Sequence, residues 1–500
     1  MKNPPLVEVL LTHSYHLYFD RKQADRQQPY PPLGTMYAAA LLRKAGFSVA
    51  IFDTMIEDPD TGFAQALAQH RPRIVVLCED SFNFLSKMCL TRMREVSVMM
   101  REQSAQYGIP VVVHGSDSSD NVRTYLDHGY DAVLLGECEQ TLVELIRAIL
   151  REGQHSNWKI PGLAYLDETS QRVTFTAKRI DRPDLDRMPF PARDLLAIDR
   201  YSAIWRKHHG RSSTNLVASR GCPFRCNWCA KPIHGNQFLL RSADSVAEEM
   251  QLLKFEYGVE HLWFADDIFA LNRRWIRDFA DAVERRDAVI PFKIQSRADL
   301  MGADTVSALK RAGCEEVWMG AESGSQAILD AMDKGLAVAS IHRARARLGA
   351  AGIRASFFLQ FGYPGEGLAE IEETIALVRS CRPDDIGVSV SYPLPGTVFY
   401  QRVVEQLGAK RNWIDSQDLS VMFNATYTDE FYRALRNALH YEVKLYHRYS
   451  TLEERRRLTG LWDDVYQRER LCKHTQPTQL PVLRQAGDHT LATCVVDTCS

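Results

Sequence analysis

Cys222, Cys226 and Cys229 stand in the run Arg220-Gly-Cys-Pro-Phe-Arg-Cys-Asn-Trp-Cys229. Thiolates are the usual ligands of iron–sulfur clusters, and a cubane of four irons ordinarily takes four of them. Three closely spaced thiols leave one iron open to a substrate or cosubstrate, so the spacing points to chemistry at the metal and not only to electron storage. Two other readings stay open on spacing alone. His234, five residues beyond Cys229, could complete a Cys3His structural zinc site, or the thiols could simply be buried.

The elements that must position these cysteines are legible as alternating strand and helix signals. Strands are expected near Asn215 to Ser219, His261 to Ala265, Phe292 to Gln295, Glu316 to Gly320, Ala355 to Phe361 and Asp385 to Val390. Roughly six βα units make an incomplete barrel, whose reactive face lies at the C-terminal ends of the strands. The cysteines follow the first of these strands, on that face, where a structural zinc has no reason to be. Ahead of them, apolar runs at Val7 to Leu11, Val49 to Phe52, Ile74 to Leu77, Pro110 to Val113 and Ala132 to Leu135 are short and β-branched. They read as a parallel sheet covered on both faces, and ligands of such sheets bind beyond the carboxyl ends of the strands. The expected organisation is an α/β chain: an N-terminal doubly wound domain over 1–152, a linker over 153–208 that is rich in Pro, Asp and Arg from about Arg182 to Tyr201, a partial (βα)6 TIM-type barrel over 209–407, a helical C-terminal region over 408–472, and a flexible tail over 473–500.

Composition narrows the class. Lys+Arg 61 against Asp+Glu 63 leaves a net charge of −2 in 500 residues, which favours neither nucleic acid nor an anionic membrane as the main partner. No run of about 18 apolar residues predicts a membrane span, and Met1-Lys-Asn-Pro-Pro does not open a signal peptide, so a cytoplasmic location is expected. Cys78, Cys89, Cys138, Cys314 and Cys381 lie apart and read as small buried hydrophobes, while Cys494 and Cys499 close a polar tail.

The Cys-x3-Cys-x2-Cys loop after a strand, ahead of a βα series, resembles the radical S-adenosylmethionine enzymes. Tyr30-Pro-Pro-Leu-Gly34, Gly136-Glu137, Met319-Gly-Ala-Glu-Ser-Gly324, Gly362-Tyr-Pro-Gly-Glu366 and Pro393-Leu-Pro-Gly-Thr397 are similar to the branch with an N-terminal cobalamin-binding, flavodoxin-like domain. The resemblance covers about residues 5 to 410. It implies a 4Fe-4S cluster on Cys222, Cys226 and Cys229, whose fourth iron chelates S-adenosylmethionine and whose electron cleaves it to a 5′-deoxyadenosyl radical. It assigns no protein acid or base to that step. A small-molecule substrate and a flavodoxin- or ferredoxin-type electron donor are the implied partners. Methyl transfer to an unactivated carbon is the leading activity, with a radical cyclase or rearranging enzyme as the alternative, and a non-catalytic cobalamin- or zinc-binding protein as a third.

The same resemblance sets expectations for individual residues. Trp228 would face the adenine, or else pack under the loop. Glu322 and Ser323 would reach the ribose or methionine end of the cosubstrate, or cap the next helix. Arg297 would meet the methionine carboxylate, or pair with Asp299 or Asp304. The corrin would be gripped by Pro32, Leu33, Gly34, Ser81, Gly115, Ser116 and Gly136. No Asp-x-His-x-x-Gly motif is present, so neither His13 nor His16 is expected to ligate cobalt.

Three further stretches are read from residue type and spacing alone. Of Asp266 and Asp267, alternation lets only one face the site, and either could instead cap a helix starting near Asn272. The stripe Tyr432, Leu435, Leu439, Tyr441, Leu445 and Tyr446 has helical spacing, and reads as core or as a roof over the barrel. Glu453 to Arg457 reads as a solvated helix face.

Overall fold

Unbroken β-branched runs such as Val111-Val-Val make strands that are buried on both faces, and these build the first layer of the chain. A computed structural model describes residues 6–152, 158–167, 169–474 and 478–479. Its N-terminal sheet contains β1 (Val9–Thr12), β2 (Val49–Ile51), β3 (Ile74–Cys78), β4 (Val111–His114) and β5 (Ala132–Leu134), with β6 (Leu163–Leu166) and β7 (Val173–Phe175) after them. The order is β2-β1-β3-β4-β5-β6-β7. The first five strands are parallel, in the flavodoxin-like order 2-1-3-4-5. Period-two alternation divides them between two cores. Val9, Leu11, Ile74 and Val76 pack on one face with helix α2 (Leu33–Lys44) and helix α3 (Glu139–Glu152), both beyond the short helix α1 (Arg21–Arg26). Leu10, Val75 and Leu77 pack on the other.

The stretch expected to be a linker, 153–208, holds more structure than its composition suggests. β6 and β7 add antiparallel to β5. Val173-Thr-Phe175 is too short and polar for periodicity to reveal it. A helix over Ile198–His209 then docks the two halves of the chain together: Tyr201 donates to Asp53 at 2.7 Å, and Trp205 Nε1 to the Pro29 carbonyl at 2.7 Å.

The second sheet has six parallel strands in the order β15-β14-β13-β12-β11-β8 and does not close. Its members are β8 (Thr214–Leu216), β11 (Leu262–Phe264), β12 (Phe292–Ser296), β13 (Cys314–Glu322), β14 (Arg354–Phe361) and β15 (Ile386–Val390). The two-residue strands β9 (Ser219–Arg220) and β10 (Leu239–Leu240) form a separate ribbon. Leu262, Phe264, Phe292, Ile294 and Val317 turn outward into one core with helices α4 (Ala243–Phe255) and α5 (Arg273–Arg285). Alternation therefore turns Trp263, Lys293 and Trp318 toward the inside of the arc.

The C-terminal helices α6 (Asp429–Lys444) and α7 (Leu452–Leu471) pack on each other, and α6 packs on β15. Tyr432, Leu435 and Leu439 are buried core, whereas Glu453 and Arg455 to Arg457 are exposed. No helix among the described residues is long and apolar enough to cross a membrane. Cys494 and Cys499 lie outside the described residues.

Candidate active site

The cysteine loop leaves β9 through Gly221, whose φ of +75° favours glycine, and where a Cβ would stand 2.1 Å from the Gln237 carbonyl. Backbone and side-chain bonds then fasten the loop from several sides. Lys231 Nζ donates to the carbonyls of Cys222 and Phe224. Asn227 donates to the Ala331 carbonyl and to Asp333, both at 2.8 Å, and accepts from the Tyr363 hydroxyl at 2.9 Å. The three thiols themselves are free and half-buried. Burial raises the pKa of Cys222 and pushes Cys229 up to about 12.

A rigid loop presenting three unpaired thiols beyond a barrel strand suits an iron–sulfur cluster. Tetrahedral zinc would draw its ligands to about 3.8 Å from one another. Among the described residues the only three metal-ligating side chains with donor atoms within 4.8 Å of one another are Cys78, His114 and Cys138, elsewhere in the chain. His234 points away from the cysteines and stacks on Phe82 of the N-terminal domain at 5.3 Å.

Around the loop, the strand ends carry the other residues singled out from sequence. Glu322, at φ +57°, ends β13 and pairs with buried Lys334 at 2.7 Å. Gly320 leaves room for this pair, since a Cβ there would stand 2.6 Å from Glu322 Oε1 and 2.7 Å from Lys334 Nζ and would push the two side-chain ends aside. Ser323 is turned into the fold: its hydroxyl meets Thr374 at 3.0 Å and accepts from Ser325 N. Arg297 is fully engaged. It binds Asp299 bidentately at 3.0 and 3.1 Å, donates to the carbonyls of Lys334 and Gly335, and stacks 3.8 Å from the Phe224 ring. Its guanidinium thus braces the cysteine loop, and Asp304 is not its partner. Trp228 packs half-buried against the barrel core with its indole N–H unpartnered.

The adjacent acids divide as alternation requires. Asp266 is buried and ties β11 to β8, accepting from Ala218 N at 3.1 Å and Ser219 Oγ at 2.5 Å; burial raises its pKa to about 7. Asp267 pairs with Lys87 of the N-terminal domain and lies within electrostatic reach of Cys222 and Cys229. Neither caps α5, whose first turn is capped by Asn272.

Between the two sheets lies a narrow cleft lined by Gly34, Ser81, His114, Glu137, Arg220 and His234 among others. Pro32 precedes α2, Leu33 is buried, and Gly34 lets the helix start approach β3: a Cβ there would stand 2.9 Å from the Glu79 carbonyl. A Cβ on Gly115 would stand 2.8 Å from Glu79 Cγ and 2.9 Å from its Cβ, too close without a shift of that side chain, so both glycines keep the strand ends bare. Ser116 is buried beside Gly115, and Gly136, at φ +66°, accepts from His114 Nε2 at 2.9 Å. Both nitrogens of buried His234 lack a partner, which leaves polar demand inside the cleft. Bare glycines, an interdomain gap and an unpartnered imidazole suit a large planar cofactor with a polar rim. His13 is held by Asp53 at 3.1 Å, and His16 stacks near Tyr18 and Phe19, so neither is offered as a ligand.

Residues 216–378 match the Radical SAM superfamily and residues 24–146 match the B12 binding domain, together more than half of the chain. The chain is a radical S-adenosylmethionine enzyme of the cobalamin-binding branch. Its cofactors are a 4Fe-4S cluster, S-adenosylmethionine and cobalamin. An uncharacterized methyltransferase of Pyrococcus horikoshii is 28% identical to the enzyme over 392 residues, covering 77% of this chain and 81% of that one. The anaerobic magnesium-protoporphyrin IX monomethyl ester cyclase of Cereibacter sphaeroides is 24% identical, over 76% of this chain and 61% of its own. In fold, the enzyme is similar to the cobalamin-dependent S-adenosylmethionine radical enzyme OxsB, with a TM-score of 0.68 and 18% identity over 92% of this chain and 72% of that one.

Two groups of this radical enzyme escaped sequence reading. Lys334 lies twelve residues past its partner in a turn, with no motif to mark it. Arg220 joins the domains through Glu137 and Glu139 and lies over the rings of Tyr37 and Phe82. Its place directly before Gly221 in the cysteine run was the available signal, and Gly136-Glu137 was the other half of it.

Proposed function

We propose that the enzyme transfers a methyl group to an unactivated carbon of a small molecule. When bound, the cluster supplies the electron that cleaves S-adenosylmethionine, and the corrinoid carries the methyl group. The chain's own residues position and shield these groups. Cys222, Cys226 and Cys229 hold the cluster, and Arg297, Asn227 and Lys231 keep their loop rigid. Trp228, with an unpartnered indole N–H, supplies a flat face toward the cosubstrate. Glu322, paired with Lys334, offers a carboxylate to its hydroxyl or ammonium groups. Ser323 and Arg297 act behind them as supports. Pro32, Leu33, Gly34, Ser81, Gly115, Ser116 and Gly136 form the corrinoid cradle, and Lys87–Asp267 and Arg220–Glu137 close it against the barrel. A flavodoxin- or ferredoxin-type protein delivers the electron.

The observation that carries this reading is that a three-thiol loop beyond a barrel strand and an α/β strand-end surface with bare glycines are joined through Arg220, next to the loop, and its partners Glu137 and Glu139. Relatives named as cyclases support a second outcome on the same architecture, ring closure without methyl gain. Anaerobically reconstituted enzyme should bind corrinoid, release 5′-deoxyadenosine under reduction, and give a product one methyl heavier. A product of unchanged carbon count would favour the cyclase reading, and absence of both corrinoid and 5′-deoxyadenosine would refute both.

A further inference from the structure

The six-stranded sheet leaves one side open, between its edge strands β8 and β15, and a helix stands at each edge. Helix α6 runs down the β15 edge. Near its start the Tyr432 ring lies 3.2 Å from where a Cβ of Gly362 would be, at the C-terminal end of β14. At its far end the Tyr446 carbonyl accepts from Arg382, just before β15. Helix α1 descends opposite it. Asp20 and Gln23 bond Ser416 at the top, and His209, just ahead of β8, meets the carbonyls of Arg26 and Gln27 at the foot.

These two helices confront each other with like charge. Lys22 and Arg26 of α1 lie within electrostatic reach of Arg436, and His440 feels all three together with Lys444. Among the described residues, none of these cations has a carboxylate within salt-bridge distance, whereas the buried arginines Arg193, Arg220 and Arg297 are each paired. Of the local acids, Asp25 of α1 is exposed and within salt-bridge distance of none of these cations, and the others are engaged. Asp20 accepts from Gln23 N, Ser416 N and Ser416 Oγ; Asp415, also within reach of Lys22, accepts from Gln417 N. On α6, Asp429 holds Val421 N and faces Arg433, while Glu442 binds Arg379. Lys22, Arg436 and His440 are only half-exposed, so the repulsion is not relieved by full hydration. Its mark is chemical: burial first, then Arg26 and Arg436, holds Lys22 down to about 8, and burial with the same cations holds His440 down to about 3. A partly buried set of unpaired cations is destabilising until an anion completes it.

We propose that the open side of the half-barrel is a substrate-docking site in which Lys22 and Arg436, flanked by Arg26 and His440, bind an anionic phosphate or carboxylate group. The proposal rests on the small-molecule reading above and names its substrate class: an oxyanion held at the side of the barrel, with the reacting carbon extended toward Tyr432 and the strand ends. A guanidinium fork and an ammonium match either oxyanion.

Isothermal titration of inorganic pyrophosphate and, separately, succinate into the anaerobically reconstituted enzyme tests it. Saturable binding of at least one is expected, and which one binds tells phosphate from carboxylate. Arg436→Gln and Lys22→Gln should each weaken it by roughly tenfold or more, while Arg436→Lys, which keeps the charge, should weaken it less. Rising ionic strength should weaken it as well. Both glutamine variants should melt no lower than wild type, because each removes an unpaired like charge. Failure of both anions to bind, or binding indifferent to both glutamine variants, would overturn the proposal. Calorimetry reads binding without turnover, so wild-type protein that binds an anion yet forms no 5′-deoxyadenosine would overturn the functional reading and leave this site standing.

Discussion

Replacing Lys334 by methionine leaves Glu322 as an unpaired carboxylate beside the cysteine loop. The two side chains are 7% and 6% exposed and 2.7 Å apart. At an effective dielectric of 20, that separation corresponds to about 6 kcal/mol of gross attraction. Desolvating the two ions offsets most of it, so the intact pair is worth little net, but removal of one partner strands the other at a cost of about 3 to 5 kcal/mol. Lys334→Met and Glu322→Gln should therefore each lower unfolding stability by an amount in that range, and the double variant should recover most of the loss. The raised folded pKa of Lys334 sets the pH window: its contribution is fully present below the unfolded value of 10.5 and is lost as pH rises through the higher folded value. Denaturant unfolding at pH 7, read as a double-mutant cycle on protein in one metal state, measures the coupling. Single variants that each cost less than about 1 kcal/mol, or simple additivity, would show that the pair is hydrated and would refute this account.

Other outcomes follow from the same contacts. Gly34→Val should overpack the start of α2 against the Glu79 carbonyl, costing about 1 to 3 kcal/mol and abolishing corrinoid retention on gel filtration, while iron and sulfide content stay near wild type. Glu366 is buried, has one oxygen unpartnered, and is raised by burial to about 8, so it stays protonated in the fold at neutral pH. Because the unfolded chain releases that proton first, its contribution falls as pH rises from about 4.5 to 8, by up to about 4 to 5 kcal/mol. Glu366→Gln should remove that slope from the stability-versus-pH curve. Asp267→Asn should loosen the junction with Lys87 and lower corrinoid affinity, and an unchanged affinity would show that the pair is incidental.

How far the molecule was legible from its chain can be seen in single elements. Strands β3 and β4 announced themselves because both faces are buried, which forces a continuous apolar run. β7 did not, because an edge strand of three residues has neither the length nor the alternation to stand out. The Asp266-Asp267 pair was half legible: alternation said they must part, but only packing set Asp266 under the β8–β11 junction and Asp267 against Lys87, 180 residues away in sequence. Arg297 was expected either to meet the methionine carboxylate or to pair with Asp299 or Asp304, and the turn after β12 brings Asp299 to its guanidinium.

The chain by itself determined the two architectures and the three thiols, since strand burial and ligand spacing are local properties written in consecutive residues. Tertiary structure alone decided what surrounds them: the Glu322–Lys334 pair, the Arg220 bridge to Glu137, the departure of His234 from the cysteines, and the unpaired cations of α1 and α6. Each of these depends on where distant segments meet, and Coulomb energy and desolvation follow spatial distance rather than order along the chain.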